Sequence, residues 1–212
     1  MKHLVIIGAR GAGRETYETA LHTVDYDNKV YDIKGFLDDK KDALDLYEGY
    51  PPILGAVETY VPCNDDIFVC ALGEPVWRKH YVDIILAKGG KFVTLIDKTA
   101  RVCTNAKIGK GCVIRRMVEI SNDTTIGDFS YLQPFTDIGH DAVIGKFCHL
   151  NTNSFMGGYS QLEDMVTLQT HAVLLPHKKA GEGSTIGAGS VAIRNVKAGI
   201  TVFGIPAMRL GK

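Results

Sequence analysis

From residue 100 to residue 174 the chain repeats every six residues, and this period constrains the fold more than any other feature. Positions 102, 108, 114, 120, 126, 132, 138, 144, 150, 156, 162, 168 and 174 are all Val, Ile, Leu or Met. Two residues before each stands a smaller side chain: Ala, Cys, Val, Thr or Ser. With about a quarter of residues aliphatic in ordinary sequence, such a run in fixed register has a chance probability on the order of 10⁻⁸. A strand sends residues i and i+2 to one face, so each hexapeptide directs one small and one larger group inward and then turns a corner. Gly109, Gly127, Gly139, Gly145 and Gly187 follow inward aliphatics, where a corner asks for backbone freedom. The frame fails at Lys178 and Ala180 and resumes with Ser184/Ile186 and Ser190/Ala192, so an irregular turn is expected between them. Cys112 and Cys148 occupy small inward slots and read as core fillers.

The preceding residues follow another pattern. Strands are expected at Leu4 to Ile7, Ile33 to Leu37, Ile67 to Leu72 and Phe92 to Ile96, with helices at Gly13 to His22 and Val76 to Lys88. This alternation predicts a parallel sheet covered on its faces. The chain therefore divides into 1–96 and 97–212. Lys plus Arg equals Asp plus Glu at 24 each, which leaves no overall field to favour nucleic acid or an anionic membrane. Five cysteines without a C-x-x-C pair suit a reducing cytoplasm. No leader and no membrane-spanning apolar stretch is expected.

After the first strand comes "IIGARGAGRE". Its glycines, Gly8, Gly11 and Gly13, are spaced G-x-x-G-x-G rather than the G-x-G-x-x-G of dinucleotide-binding turns. A glycine-rich turn from strand into helix still presents N–H groups to an anion, so the loop can cradle a phosphate. Asp38 and Asp39 after the second strand either bond a ribose or base edge or form a solvated turn.

The hexapeptides resemble the left-handed parallel β-helix of hexapeptide-repeat transferases, in which three hexapeptides make one triangular coil. On that layout residues eighteen apart stack about 4.8 Å from one another, and Gly158 lies over His140. The stretch "GHDAVIGKFCHL" with Gly157-Gly158 resembles the bacterial family of sialic acid O-acetyltransferases and nucleotide-linked amino-sugar N-acetyltransferases. There a His followed by an acidic residue precedes a second His by nine positions and a glycine by eighteen, as His140, Asp141, His149 and Gly158 do here. The family also carries a small Rossmann-like nucleotide-binding α/β domain ahead of the β-helix. "GFLDD" at 35–39, "ALGEPVWRK" at 71–79 and "FGIPAMRL" at 203–210 fit it. The resemblance implies that Gly73 and Arg78 line the nucleotide cleft. It also implies a homotrimer with acetyl-CoA in the groove between subunits, contacted by His149 and by Lys178, Lys179, Arg194 and Arg209. Gln133-Pro134-Phe135 departs from the Asn and small residues usual in relatives, so acceptor recognition is expected to differ.

The groups themselves support acyl transfer. A nucleophile must lose a proton as it attacks a thioester, and imidazole, with a pKa of about 6.5, is a suitable base near neutrality. His140 is the candidate base, and Asp141 the carboxylate that fixes its tautomer. The Gly158 N–H is placed to meet the oxyanion. The expected activity is acetyl-CoA-dependent N-acetylation of a nucleotide-activated amino sugar by a cytoplasmic trimer, with no metal and no nucleic-acid or membrane partner. O-acetylation of a sialic acid or related sugar is the alternative. A zinc carbonic anhydrase using His171 and His177, or a non-catalytic structural trimer, would use the same scaffold.

Overall fold

The computed structural model describes residues 1–209 and divides the chain into two compact units, Met1–Lys98 and Thr99–Lys212. In the first unit, five strands form a wholly parallel sheet: β1 (Lys2–Ile7), β2 (Tyr31–Leu37), β3 (Ile53–Gly55), β4 (Asp66–Cys70) and β5 (Lys91–Phe92). Their order is β3-β2-β1-β4-β5, each pair parallel. The central strands are apolar on both faces, with Leu4 to Ile7 and Phe68 to Cys70 at most 1% exposed, as a sheet covered on both sides requires. Helices α1 (Gly11–Leu21) and α3 (Pro75–Ala87) follow β1 and β4, and a single turn, α2 (Val24–Asp27), is capped by the Thr23 hydroxyl accepting from the Tyr26 amide. The run from Phe92 to Ile96 is interrupted, and only Lys91–Phe92 joins this sheet. Because the chain leaves β1 to one side for β2 and β3 and to the other for β4 and β5, the crevice at the carboxyl ends of β1 and β4 is the switch point where such sheets bind ligands.

In the second unit the hexapeptides form two-residue strands stacked into three parallel sheets. One runs through 101–102, 119–120, 137–138, 155–156, 173–174 and 191–192; the next through 107–108, 125–126, 143–144, 161–162 and 179–180. The third includes 113–114, 131–132, 149–150, 167–168, 185–186 and 201–203. Paired residues are eighteen apart, as in Asp137 with Phe155 and His149 with Thr167. Inward aliphatics from Ile114 to Ile186 are at most 2% exposed. Two of the small inward hydroxyls donate to carbonyls of the next coil, Ser130 to Gly145 (2.9 Å) and Thr124 to Gly139 (3.2 Å). Cys112 and Cys148 are fully buried in the same slots.

Two expectations are corrected. The glycines after the inward aliphatics are not the flexible corners. The left-handed backbone falls two residues later, at every sixth residue from Gly111 to Gly189, with φ between +56° and +68°. Eleven of these corner residues carry side chains, among them Phe135, Asp141, Tyr159 and His177. Gly127, Gly139 and Gly145 instead allow coils to approach: a Cβ on Gly139 would lie 2.6 Å from the Gly158 nitrogen, and one on Gly127 2.6 Å from the Gly145 carbonyl carbon. Nor does the coil break at Lys178. Lys179 and Ala180 pair in register with Gln161 and Leu162, and His177 keeps its corner φ of +60°. The irregularity comes after Ala192, where the last coil is two residues short. Thr185 pairs with Thr201 and Ala180 bridges to Val196, sixteen residues on in each case.

Candidate functional site

The crevice at the sheet's carboxyl ends is a cleft of about 410 Å³, within the range of small-ligand sites. Its first wall is the β1–α1 turn, which contributes Gly8, Arg10, Ala12 and Gly13. Gly8 has φ +95°, and a Cβ on Gly13 would sit 2.0 Å from the Gly8 carbonyl oxygen, so the turn closes only because both residues lack one. Helix α1 begins with no side-chain cap, leaving its first N–H groups for a ligand. Asp38 and Asp39 form the second wall. Asp38 is 8% exposed and accepts from the Ala9 and Lys40 amides (2.9 and 3.0 Å), whereas Asp39 is solvent-facing. The Arg10 guanidinium lies 3.7 Å from Asp38 and 3.8 Å from Asp39. The third wall, after β4, holds Gly73 and Glu74, with Trp77 and Tyr81 from α3. Burial, then the carboxylates of Glu58, Asp39 and Asp38, push the Tyr81 phenol above its ordinary pKa.

Two residues expected here stand elsewhere. Gly11 opens α1 with nothing within 4 Å of a Cβ and does not line the cleft. Arg78 is 1% exposed and lies behind the wall, its guanidinium donating to the carbonyls of Leu72 (2.7 Å) and Gly73 (3.4 Å). It braces the backbone of the cleft rather than facing a ligand. Sequence reasoning missed Trp77, Tyr81 and Glu58. The i,i+4 spacing of the two aromatics at the start of α3 was the available signal; Glu58 follows β3, a three-residue strand too short to read.

In the second unit His140 and Asp141 form a corner between two of the sheets. Asp141 has φ +57°, and this left-handed turn swings its carboxylate onto the same side as the preceding imidazole. On an extended strand adjacent side chains would point to opposite faces. The Asp141 Oδ2 lies 2.8 Å from His140 Nδ1, with the imidazole side chain 60% exposed. That bond leaves Nε2 turned to the surroundings as the nitrogen able to take a proton. Gly158 borders the ring as the eighteen-residue stacking requires: a Cβ there would be 2.8 Å from Nε2 and 2.9 Å from Cε1. The flanking amides belong to the ladder, Gly157 to Leu174 and Tyr159 to His140 itself (3.0 Å). Tyr159, half exposed, stands edge-to-face with His140 at 5.2 Å and is stacked on His177 at 5.0 Å and 3°. Tyr159 escaped sequence reasoning, and His177 entered it only as a possible zinc ligand, although the eighteen-residue step from Asp141 leads to Tyr159 and then His177.

The remaining expected residues do not gather at this corner. His149 lies on the sheet opposite it, 5% exposed, stacked on Tyr131 (5.3 Å) with Nε2 3.2 Å from the Asn151 Oδ1. One copy of the chain does not bring His149 to His140. Lys179 is paired with Glu163 at 2.6 Å, Lys178 is half-buried, and Arg194 and Arg209 are exposed in the last coil and the closing strand. Of the "FGIPAMRL" stretch, Leu210 lies outside the described residues. Among the described residues no helix is long and apolar enough to cross a membrane.

Two family models match separate stretches of the chain. Residues 3–85 match the PglD N-terminal domain, and residues 92–192 match the GMPPB C-terminal domain. The acetyltransferase domain of PglB from Neisseria gonorrhoeae FA1090 superimposes with a TM-score of 0.88 at 25% identity, over 99% of this chain and 100% of that one. PerB from Caulobacter crescentus, solved in complex with CoA and GDP-perosamine, also gives 0.88, at 22% identity over 100% and 98% of the two chains. A 2,3,4,5-tetrahydropyridine-2,6-dicarboxylate N-acetyltransferase of Clostridium perfringens is 46% identical over 46 residues, 22% of this chain. The match spans 20% of that curated relative's length. The chain thus carries a PglD-type N-terminal domain followed by a left-handed parallel β-helix, and it shares its fold with the PglB acetyltransferase domain over 99% of its length.

Proposed function

We propose that the protein is an acetyl-CoA-dependent N-acetyltransferase acting on a nucleotide-activated amino sugar. The observation that carries this reading is the His140 imidazole, held at Nδ1 by Asp141 and bordered by Gly158. The sugar amine attacks the thioester carbonyl carbon while Nε2 of His140 takes a proton from the nitrogen. The Gly158 N–H meets the oxygen that becomes negative, an interaction worth a few kcal/mol. As the intermediate collapses the C–S bond breaks, the amide C–N bond remains, and the proton passes to the CoA thiolate. Asp141 keeps the imidazole in one tautomer and offsets the imidazolium charge.

In the first unit the uncapped start of α1 and Arg10 hold the diphosphate, Asp38 and Asp39 the ribose, and Trp77 and Tyr81 the base. Binding energy from the nucleotide is then available to position the amine. PerB, solved with CoA and GDP-perosamine, supports this choice over a free sugar acid. We place the enzyme in the cytoplasm as a homotrimer in which CoA lies between subunits, His149 of one copy serving the His140 of the next. Lys178, Arg194 and Arg209 are its candidate phosphate contacts, with Lys179 joining them if it leaves Glu163.

The test is release of free thiol from acetyl-CoA with GDP-, UDP- and dTDP-linked amino sugars and with free sialic acids. Thiol release is expected with a nucleotide-linked amino sugar, and His140→Ala should lower its rate by about 10²- to 10⁴-fold. Equal rates for wild type and His140→Ala, or turnover of sialic acids alone, would overturn the reading.

A further inference from the structure

The corner that carries His140 holds two more rings, and neither has a part in the scheme above. Tyr159 stands one coil from Asp141 and His177 one coil further, so Asp141, Tyr159 and His177 form a column along one corner of the β-helix. All three have left-handed backbone, at φ +57°, +58° and +60°. The Tyr159 ring meets His140 at 89° with centroids 5.2 Å apart, and its stacking on His177 is nearly coplanar, at 3°. Tyr159 is nevertheless 50% exposed, so burial in a core does not explain its presence.

An exposed imidazole held by a hydrogen bond at Nδ1 loses its orientation whenever that bond breaks, because the ring then turns about its Cα–Cβ and Cβ–Cγ bonds and carries Nε2 away from the reacting nitrogen. Gly158 gives the ring room and does not confine it. A perpendicular aromatic ring opposes such a rotation, since the edge-to-face arrangement sets the positive edge of one ring against the negative face of the other. His177, parallel to Tyr159, holds the tyrosine ring in turn. We infer that Tyr159, braced by His177, is a positioning residue that confines the His140 imidazole to the orientation in which Nε2 faces the acceptor. The inference rests on the reading of His140 as the general base.

The corner backbone makes a clean experiment possible. Glycine is at ease at φ +58°, so Tyr159→Gly removes the ring without asking the fold to adopt a new conformation. With full-length protein, Tyr159→Gly should lower kcat about tenfold, a modest share of what misplaced catalytic groups can cost. The acetyl-CoA and sugar-nucleotide KM values should stay unchanged and the melting temperature should match or exceed wild type. Tyr159→Phe, which keeps the ring, should retain the wild-type rate. In a His140→Ala background Tyr159→Gly should cost nothing further, because its effect passes through the imidazole. His177→Ala, which removes only the brace, should give a smaller loss of kcat in the same direction. A wild-type kcat for Tyr159→Gly, a loss confined to KM, or an equal loss with and without His140 would overturn the inference and leave the base assignment standing. A wild-type rate for His140→Ala would overturn both.

Discussion

Gly158 separates two roles that glycine plays in this chain. Its φ is not left-handed, so alanine is conformationally acceptable there, yet the added methyl would fall 2.8 Å from Nε2 of His140. The imidazole is the far end of an exposed side chain and can move aside; the backbone need not. Gly158→Ala is therefore expected to leave the melting temperature within a few degrees of wild type and to lower kcat by about 10²-fold, since small displacements of a reacting group carry that penalty. Thiol release and thermal melting on one preparation decide it, and an active Gly158→Ala would show that the imidazole works from another orientation. In the first unit a comparable single-residue device is electrostatic. Burial acts to raise the pKa of Asp66, but the Lys34 ammonium (2.7 Å), the Cys63 amide (2.8 Å) and the Tyr60 hydroxyl (2.8 Å) outweigh it, and the carboxyl titrates below its usual range. A depressed carboxylate contributes stability that is fully present above the unfolded-state value of about 3.9 and is lost as pH falls through the folded value. Lys34→Met leaves Asp66 buried with two neutral partners, which raises its pKa. Acid unfolding, followed by circular dichroism, should then begin at a higher pH than in wild type, with about 2 kcal/mol lost at neutrality.

The element that organises the second unit is the coil, and its glycines show what a sequence can and cannot convey. Gly139 and Gly189 look alike in sequence, each a glycine within a hexapeptide. In the fold a Cβ on Gly139 would fall 2.6 to 2.9 Å from the Gly158 nitrogen, the Gly157 carbonyl carbon and the Met156 oxygen, all main chain that cannot yield. Gly189 has open space around it and φ +63°. Gly139→Ala should thus lower the melting temperature severely, by several kcal/mol of lost stability. Gly189→Ala should cost only the left-handed penalty of roughly 1–2 kcal/mol. Denaturant titration of both variants separates the two causes, and equal losses would refute the distinction. The hexapeptide period was legible because the inward slots repeat without exception from residue 100 to residue 174, and it located His140, Asp141 and Gly158 because stacking turns an interval of eighteen into contact. The corner conformation was not legible. Phe, Tyr, Met and His occupy left-handed positions that glycine or asparagine would announce, since the ladder from both neighbouring coils imposes the turn whatever the side chain. In the first unit the central strands were plain from their continuous apolar runs. The three-residue β3 was not, and with it went Glu58 and part of the cleft. Arg78 was misassigned for a different reason: a basic residue beside a glycine-rich turn has the same sequence signature whether it faces an anion or a pair of carbonyls.

At the scale of the whole molecule, the decisive question is how many chains make one site. His140 stands on a corner and His149 on the opposite sheet, half a coil away, so a single β-helix cannot bring them to the same thioester. In the proposed trimer a rotation about a three-fold axis supplies the second histidine from a neighbouring copy. This arrangement is testable without a structure of the assembly. His140→Ala removes the base. His149→Phe removes the imidazole nitrogens but keeps a flat ring against Tyr131, so the stacked pair survives. Each variant by itself should be nearly inactive, and each should sediment as a species of three 23.1 kDa chains. When the two are co-expressed with distinguishable tags and the mixed trimers are isolated, some interfaces join an intact His140 from one chain to an intact His149 from the next. Each mixed ring of three has one such interface among its three, so the thiol-release rate per chain should recover to about a third of wild type. A single-chain site predicts no recovery at all, because every chain then carries one defect of its own. Recovery also discriminates between roles for His149. If it only packed against Tyr131, His149→Phe would be active from the outset and the mixture would report nothing beyond dilution of the His140→Ala chains.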